Sequence, residues 1–170
     1  WMKTDSSGGD AASPDALFCG AKETGTSGDR FKTVVVVFLV DGKLHFQVND
    51  SSANIVNFTT SNTLNDSQWH HVLATWDNAN DASALYIDGG SQGGATKSET
   101  MKSFSFNLSS DFTFEKYVRF GKGQQGSTVF SGFIDELAYW EHKTLSATDA
   151  RDLYFAALGG PLSNDTDADN

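Results

Sequence analysis

Two groups of acidic residues are the side chains of this sequence whose spacing most suggests chemistry. Asp5, Asp10 and Asp15 follow one another in a turn-rich early segment, and Asp135 and Glu136 adjoin each other late in the chain. Carboxylate oxygens in loops are the ligands that Ca²⁺ prefers, because this ion takes several hard oxygens in a flexible geometry. Like charges gathered at one end of a fold repel, and a divalent cation relieves that repulsion. These five residues are therefore the candidate calcium ligands.

The same carboxylates do not have the spacing of a catalytic pair. Adjacent residues on a strand point to opposite faces, so Asp135 and Glu136 cannot both flank one glycosidic bond at the separation of about 5–9 Å that hydrolysis requires. For the same reason the adjacent His70 and His71 cannot chelate one zinc ion, and we expect each ring to be hydrogen-bonded locally on a half-buried strand. The sequence favours a protein that is not an enzyme, and a glycan-active enzyme is the least favoured alternative.

Aromatic side chains offer a second kind of chemistry, because a ring face stacks on the apolar face of a pyranose. Trp76 ends a candidate strand beside a loop, and Trp140 precedes a polar turn. Both are candidate ligand-binding residues. Packing in the core is the alternative for each of them.

The composition of the chain limits the classes of partner that it is expected to bind. The chain has 170 residues, of which 38% are hydrophobic, and its net charge is −10. Nucleic acid and anionic membranes reward clustered Lys and Arg, so this charge argues against both. No apolar run reaches the roughly 18 residues of a membrane-spanning helix, and the single cysteine, Cys19, excludes an internal disulfide framework.

The elements that must position these residues are mostly strands, since apolar residues alternate with period two. Asp41-Gly42 is a hairpin signal between two of the strands, and many short strands separated by turns predict an all-β sandwich or jelly roll. One C-terminal helix is expected after Ser146, where Asp149 completes a capping box. The predicted strands are Phe31 to Val40, Lys43 to Val48, Trp69 to Trp76, Ala84 to Ile87, Phe112 to Phe120 and Phe130 to Glu141.

The interior of this sandwich should be built from the apolar residues of those strands. The residues expected to contribute to it are Trp69, Val72, Leu85, Ile87, Phe120, Ile134 and Leu137.

Two stretches carry a family resemblance. The first runs from Gln68 to Asp77, with the letters QWHHVLATWD, and continues as ALYIDG from Ala84 to Gly89. The second joins VRFG at residues 118–121 to FSGFIDEL at 130–137, then YW, LS and the closing LY of the helix. Their order and spacing resemble the laminin-G-like and pentraxin-like branch of the concanavalin A-like lectin superfamily. The resemblance implies a two-sheet antiparallel jelly roll over residues 1–161 with one short C-terminal helix.

The resemblance also implies a function and further site residues. It indicates a non-catalytic extracellular recognition module that binds a glycan or a cell-surface or matrix ligand, with calcium, beside neighbouring domains of a larger secreted or surface adhesin. Asp15 is the best match to an early pentraxin-like calcium ligand, and Gln124 and Gln125 occupy the loop after the strand that ends at Phe120. A structural or protein-binding adhesin domain without a sugar site is the alternative.

The acidic tail is read separately from the domain. Residues 162–170 place Asp at alternate positions from Asp165 to Asp169, like the opening of a calcium-binding loop. This segment is either an acidic linker or the start of a calcium-binding repeat.

Overall fold

The computed structural model describes residues 1–9, 14–23, 31–49, 54–77, 82–90, 95–97, 118–123, 129–140 and 143–159. Within these ranges the chain forms eleven β-strands and one α-helix. The strands are β1 Met2–Lys3, β2 Asp15–Glu23, β3 Phe31–Val40, β4 Lys43–Asn49, β5 Asn54–Thr60, β6 Trp69–His70, β7 Val72–Asp77, β8 Ala82–Ile87, β9 Ala95–Lys97, β10 Val118–Phe120 and β11 Phe133–Ile134. The helix is α1 Ala147–Ala157.

Six antiparallel strands form the larger sheet, in the order β10-β2-β3-β4-β5-β9. Its centre is the β-branched and aromatic run of β3, a composition that suits a pleated and buried strand. The predicted hairpin after β3 is confirmed: Asp41 and Gly42 have φ values of 52° and 72°, as a two-residue type I′ turn requires.

The second layer is built from β11-β1-β6 and from the β7-β8 hairpin, with only His71 between β6 and β7. The main core lies between the two layers, because buried side chains of both contribute to one cluster. Met2, Leu85 and Ile87 enter it from the second layer, and Leu39 and Phe46 enter from the larger sheet. The predicted two-sheet antiparallel sandwich is confirmed.

The larger sheet is apolar on both faces. In β3, Leu39 belongs to the main core, whereas its neighbours Phe38 and Val40 join Ala16 and Cys19 in a second buried cluster on the opposite face. Alternation along the strand produces this division.

The helix begins where its sequence signal predicts. Ser146 and Asp149 form a reciprocal capping box, in which the Ser146 backbone N–H donates to Asp149 Oδ2 at 2.7 Å and the Asp149 N–H donates to Ser146 Oγ at 3.2 Å. Ala150 is fully buried and packs with Leu73 and Leu145 against the second layer. The helix therefore covers the β7 part of that layer.

Three residues expected in the interior are exposed. Trp69, Phe120 and Leu137 leave 43%, 48% and 49% of their surface accessible. Trp69 faces outward because its neighbour His70 takes the inward register position. Phe120 ends the edge strand β10, and its ring centroid lies 5.5 Å from that of Phe18 on the neighbouring strand β2.

The exposure of Leu137 follows from a strand shorter than predicted. The predicted last strand from Phe130 to Glu141 is wrong in length, since only Phe133–Ile134 forms β11. Glu136 adopts a left-handed backbone conformation, φ 47°, which ends extended pairing. Leu137 lies beyond that point.

The other four residues predicted for the interior do contribute to it. Leu85 and Ile87 are buried, and Val72 and Ile134 are half-buried against the main core, as predicted. Strands β2, β5 and β9 are additional to those predicted. Of the predicted strand at 112–120, residues 112–117 lie outside the described residues, as does the tail at 162–170.

Candidate functional site

The central strand of the small three-stranded sheet is β1. Its first residue, Met2, lies opposite His70 on one side and Ile134 on the other. Met2 is fully buried in the main core. This row of the sheet therefore faces inward.

The next row along β1 faces the other way, because successive residues of a strand alternate between faces. Lys3 lies opposite both Trp69 and Phe133, and these two aromatic side chains are 43% and 66% exposed. Their ring centroids are 6.5 Å apart at 54°, whereas strands separated by one intervening strand lie about 9.6 Å apart. The rings thus lean toward each other above Lys3. We call Trp69, Lys3 and Phe133 the aromatic row.

A histidine and two carboxylates fix β6 on one side of the aromatic row. His70 Nδ1 lies 2.8 Å from Asp88 Oδ2, and His70 Nε2 lies 3.1 Å from Asp66 Oδ1. Asp88 is buried in the turn after β8, and its other oxygen accepts the His71 backbone N–H at 2.9 Å. With a carboxylate at each ring nitrogen, chiefly Asp88, the pKa of His70 is raised above its ordinary value. The network ties the outward Trp69 to the body of the sandwich.

His71 has a different environment from its neighbour. It is buried, and its ring packs between Trp1 and Tyr154 with centroid distances of 5.3 and 6.1 Å. Burial lowers the pKa of His71 and so favours the neutral ring. Its Nδ1 has no hydrogen-bond partner among the described residues. The expectation that both rings are hydrogen-bonded locally is right for His70 and wrong for His71, because ring packing holds His71.

Close backbone contacts fix β11 on the other side of the aromatic row. The Asp135 N–H donates to the Trp1 carbonyl at 3.0 Å, and Thr4 Oγ1 donates to the Ser131 carbonyl at 2.5 Å. Gly132 makes the approach possible, since a Cβ there would overlap the Lys3 carbonyl oxygen. The exposed Phe133 is therefore held by backbone geometry.

The predicted calcium ligands lie in two places. Asp135 and Glu136 are exposed directly after β11, and the Glu136 N–H donates to Asp135 Oδ1 at 2.8 Å. Asp15 is the first residue of β2 and not a loop residue, and its carboxylate accepts hydrogen bonds from the Gly9 and Ser131 N–H groups. Burial raises the pKa of Asp15, and a bound cation would oppose that effect.

These acids do not form one cluster in the part of the chain that the structure describes. No group of three or more His, Cys, Asp or Glu side chains is placed there to hold a metal ion. Asp5 is exposed, and Asp10 lies outside the described residues. Ser131, two residues before β11, contacts both Thr4 and Asp15 of the early part of the chain. The calcium site stays a prediction.

The predicted ligand-binding residues are also separated. Trp76 is half-buried and packs against the main core, in agreement with the core alternative. Trp140 is 40% exposed. Gln124 and Gln125 lie outside the described residues. The aromatic row, with two exposed rings in one register row, was missed from the sequence.

Comparison with known families identifies the architecture. A laminin G family model, described as the concanavalin A-like lectin/glucanases superfamily, matches residues 1–151. The chain belongs to this superfamily. No curated protein and no solved structure matches the chain.

Membership in the concanavalin A-like superfamily confirms the resemblance and gives a coarse function. Laminin G-like domains are generally non-catalytic modules that bind carbohydrate or protein, and they are typically extracellular. The described residues include no helix of the length and apolarity needed to cross a membrane.

The structure shows why two of the sequence stretches that carry the family resemblance occur together. His70 and His71 of the W-H-H-V stretch meet Asp88 of the L-Y-I-D-G stretch. Alternation shows from sequence that His70 and Trp69 face opposite ways, but only the contact of His70 with Asp88 shows that Trp69 is the outward one of the two.

Proposed function

We propose that this domain is a non-catalytic extracellular recognition module that binds glycan through the aromatic row. The observation that carries the proposal is the pair of exposed rings, Trp69 and Phe133, on the outer face of the three-stranded sheet. Single exposed apolar residues are ordinary on protein surfaces. Two large rings in contact, fixed by flanking strands and framing a lysine, form a platform of the kind that pyranose rings occupy.

The chemistry of the aromatic row matches a sugar better than a purely apolar ligand. A pyranose has an apolar C–H face and a rim of hydroxyl groups. Trp69 and Phe133 offer apolar ring surface, and the Lys3 ammonium offers hydrogen-bond donors between them. Preformed sites combine apolar walls with a few placed polar groups in this way.

Calcium and a place in a larger secreted or surface adhesin belong to the same proposal. Asp135 and Glu136 follow Phe133 by two and three residues and are exposed beside the aromatic row. Their carboxylates, with loop oxygens, are suitable calcium ligands. The net charge of −10 favours cation uptake near them.

A protein ligand is the second candidate. Leu137, Tyr139 and Trp140 are 49%, 56% and 40% exposed over a four-residue stretch. Aromatic and apolar side chains of this kind are enriched at protein interfaces. A structural adhesin domain would use this stretch and not need the aromatic row.

A glycan array probed with and without calcium tests the first proposal. We expect binding to at least one glycan, with Trp69→Ala and Phe133→Ala each weakening it about tenfold, or about 1.4 kcal/mol. Trp140→Ala is the matched control, because it removes an exposed ring outside the row. Equal binding by wild type and Trp69→Ala would reject the row, and loss in Trp140→Ala would move the site there. Incubation with polysaccharides should release no product, and product release would establish an enzyme.

A further inference from the structure

Lys3 is the only charged side chain of the aromatic row. It lies at the centre, one strand away from each ring. Across the part of the chain that the structure describes, its ammonium has no ion-pair partner. Within the described ranges, the row thus presents one positive charge without an ion-pair partner, between two apolar ring surfaces.

Acidic residues lie along the chain just before and just after the two ring-bearing strands of the aromatic row. Asp66, whose side chain is 55% exposed, lies three residues before Trp69. Asp135 and Glu136 are exposed beyond Phe133. The row is about 10 Å wide, comparable with the Debye length of about 8 Å at physiological salt. A ligand that carried negative charges along its whole length would therefore meet repulsion from these carboxylates.

We propose that the aromatic row takes a terminal sugar bearing a single carboxylate, with Lys3 as its counter-ion. This proposal rests on the glycan-binding function proposed above and adds the ligand class. The carboxylate would lie over Lys3 at the centre of the row, and the apolar sugar face would contact the flanking rings. When Asp135 and Glu136 carry no cation, the neighbouring carboxylates oppose a second negative charge, so an acid-terminated glycan binds more tightly than a polyanion such as heparin.

Paired ligands test the role of charge. A panel of glycans ending in glucuronic, galacturonic or sialic acid is measured by calorimetry in chelator, so that Asp135 and Glu136 hold no calcium. Each acid is measured beside its carboxyl methyl ester, with heparin as the polyanion. At least one acid should bind about fivefold more tightly than its ester, as an exposed ion pair allows. The acid-to-ester ratio should fall to about one in Lys3→Gln and persist in Lys3→Arg, which keeps the charge. Heparin should bind more weakly than the preferred acid.

The outcomes separate this proposal from the one on which it rests. If acids and esters bind equally, or heparin binds most tightly, the ligand class is wrong while glycan binding stands. An acid preference that survives in Lys3→Gln would also overturn it, since another cation would then supply the charge. If no glycan of any charge binds, the glycan-binding function itself fails.

Discussion

Two neighbouring carboxylates favour the protonated form of His70. The contribution of this residue to the stability of the fold therefore depends on pH. Because the folded state raises the pKa of His70, the protonated ring stabilises the fold. That contribution is fully present below the ordinary pKa of 6.5 and is lost as pH rises through the raised value. His45 and His71, whose pKa values burial lowers, act oppositely. Their neutral rings favour the fold above 6.5, and that contribution is lost as pH falls.

A difference measurement isolates His70. We expect His70→Gln to reduce the free energy of unfolding most at about pH 6 and progressively less toward about pH 9, as the wild type loses its imidazolium. Urea denaturation of both proteins across this range measures the difference, in which His45 and His71 cancel. A loss that is constant or grows with pH contradicts the role assigned to the Asp88 and Asp66 contacts.

Ile134 and Leu137 allow a second test at the residue scale. Ile134 is half-buried against the main core, so Ile134→Ala should cost about 2 kcal/mol, the lower end for such a truncation. Leu137, 49% exposed, is the matched control, and Leu137→Ala should change stability by less than about 0.5 kcal/mol. Denaturation midpoints of the two variants measure these losses of stability. Similar losses in both would contradict the register of β11.

Single residues were predictable where alternation alone decides their face. Leu85 and Ile87 are buried as expected, because β8 has a regular register with β7. Trp69 and Phe133 were not assigned to a site, because their exposure depends on pairing with β1, far away in sequence. Alternation fixes which residues share a face, but not which face another layer covers.

At the scale of elements, Gly132 determines whether β11 can approach β1. Gly132→Ala should cost about 3 kcal/mol, because the new Cβ meets backbone at Lys3 and lies 2.9 Å from Phe130 Cε1. The variant should also lose glycan binding, since Phe133 moves with the strand. Thermal unfolding and the array measure both effects.

Gly159→Ala is the matched control for this prediction. Gly159 has φ 74° with nothing within 4 Å of the added carbon, so it tests the left-handed backbone alone, at about 1 kcal/mol. If Gly132→Ala costs no more than Gly159→Ala, the close β1–β11 approach does not limit the fold.

Elements with local signals were predictable, and those without were not. Asp41-Gly42 and the Ser146–Asp149 capping box act within four residues, and both form as expected. The early end of β11 depends on the left-handed Glu136, a conformation that sequence seldom reveals in a non-glycine residue.

For the whole molecule, calcium should couple to stability if the predicted site forms. An ion that binds only the folded state adds RT ln(1 + [L]/Kd), about 2.7 kcal/mol at a hundredfold excess. In a chain of 170 residues that raises Tm by roughly 5–10 °C. Chelator should reverse the shift, and magnesium should produce less of it.

Variants separate the domain from the acidic tail in this experiment. Asp135→Asn should reduce the shift, whereas Asp165→Asn, in the tail, should not. A variant truncated after residue 161 should keep the shift. If the truncated variant melts at the same temperature in calcium and in chelator, the domain holds no calcium site and Asp135 is an ordinary carboxylate after a strand.

Because β1 lies between β6 and β11, the three-stranded sheet can be completed only late in the synthesis of the chain. The ribosome adds about 5–20 residues per second, and 130 positions separate Lys3 from Phe133, so about 7–26 s pass between their incorporation. Before β11 is synthesised, β1 lacks one of its two neighbouring strands. The nascent chain therefore carries Lys3 and Trp69 long before it has a complete aromatic row, and the proposed ligand could bind there only after translation has passed residue 133.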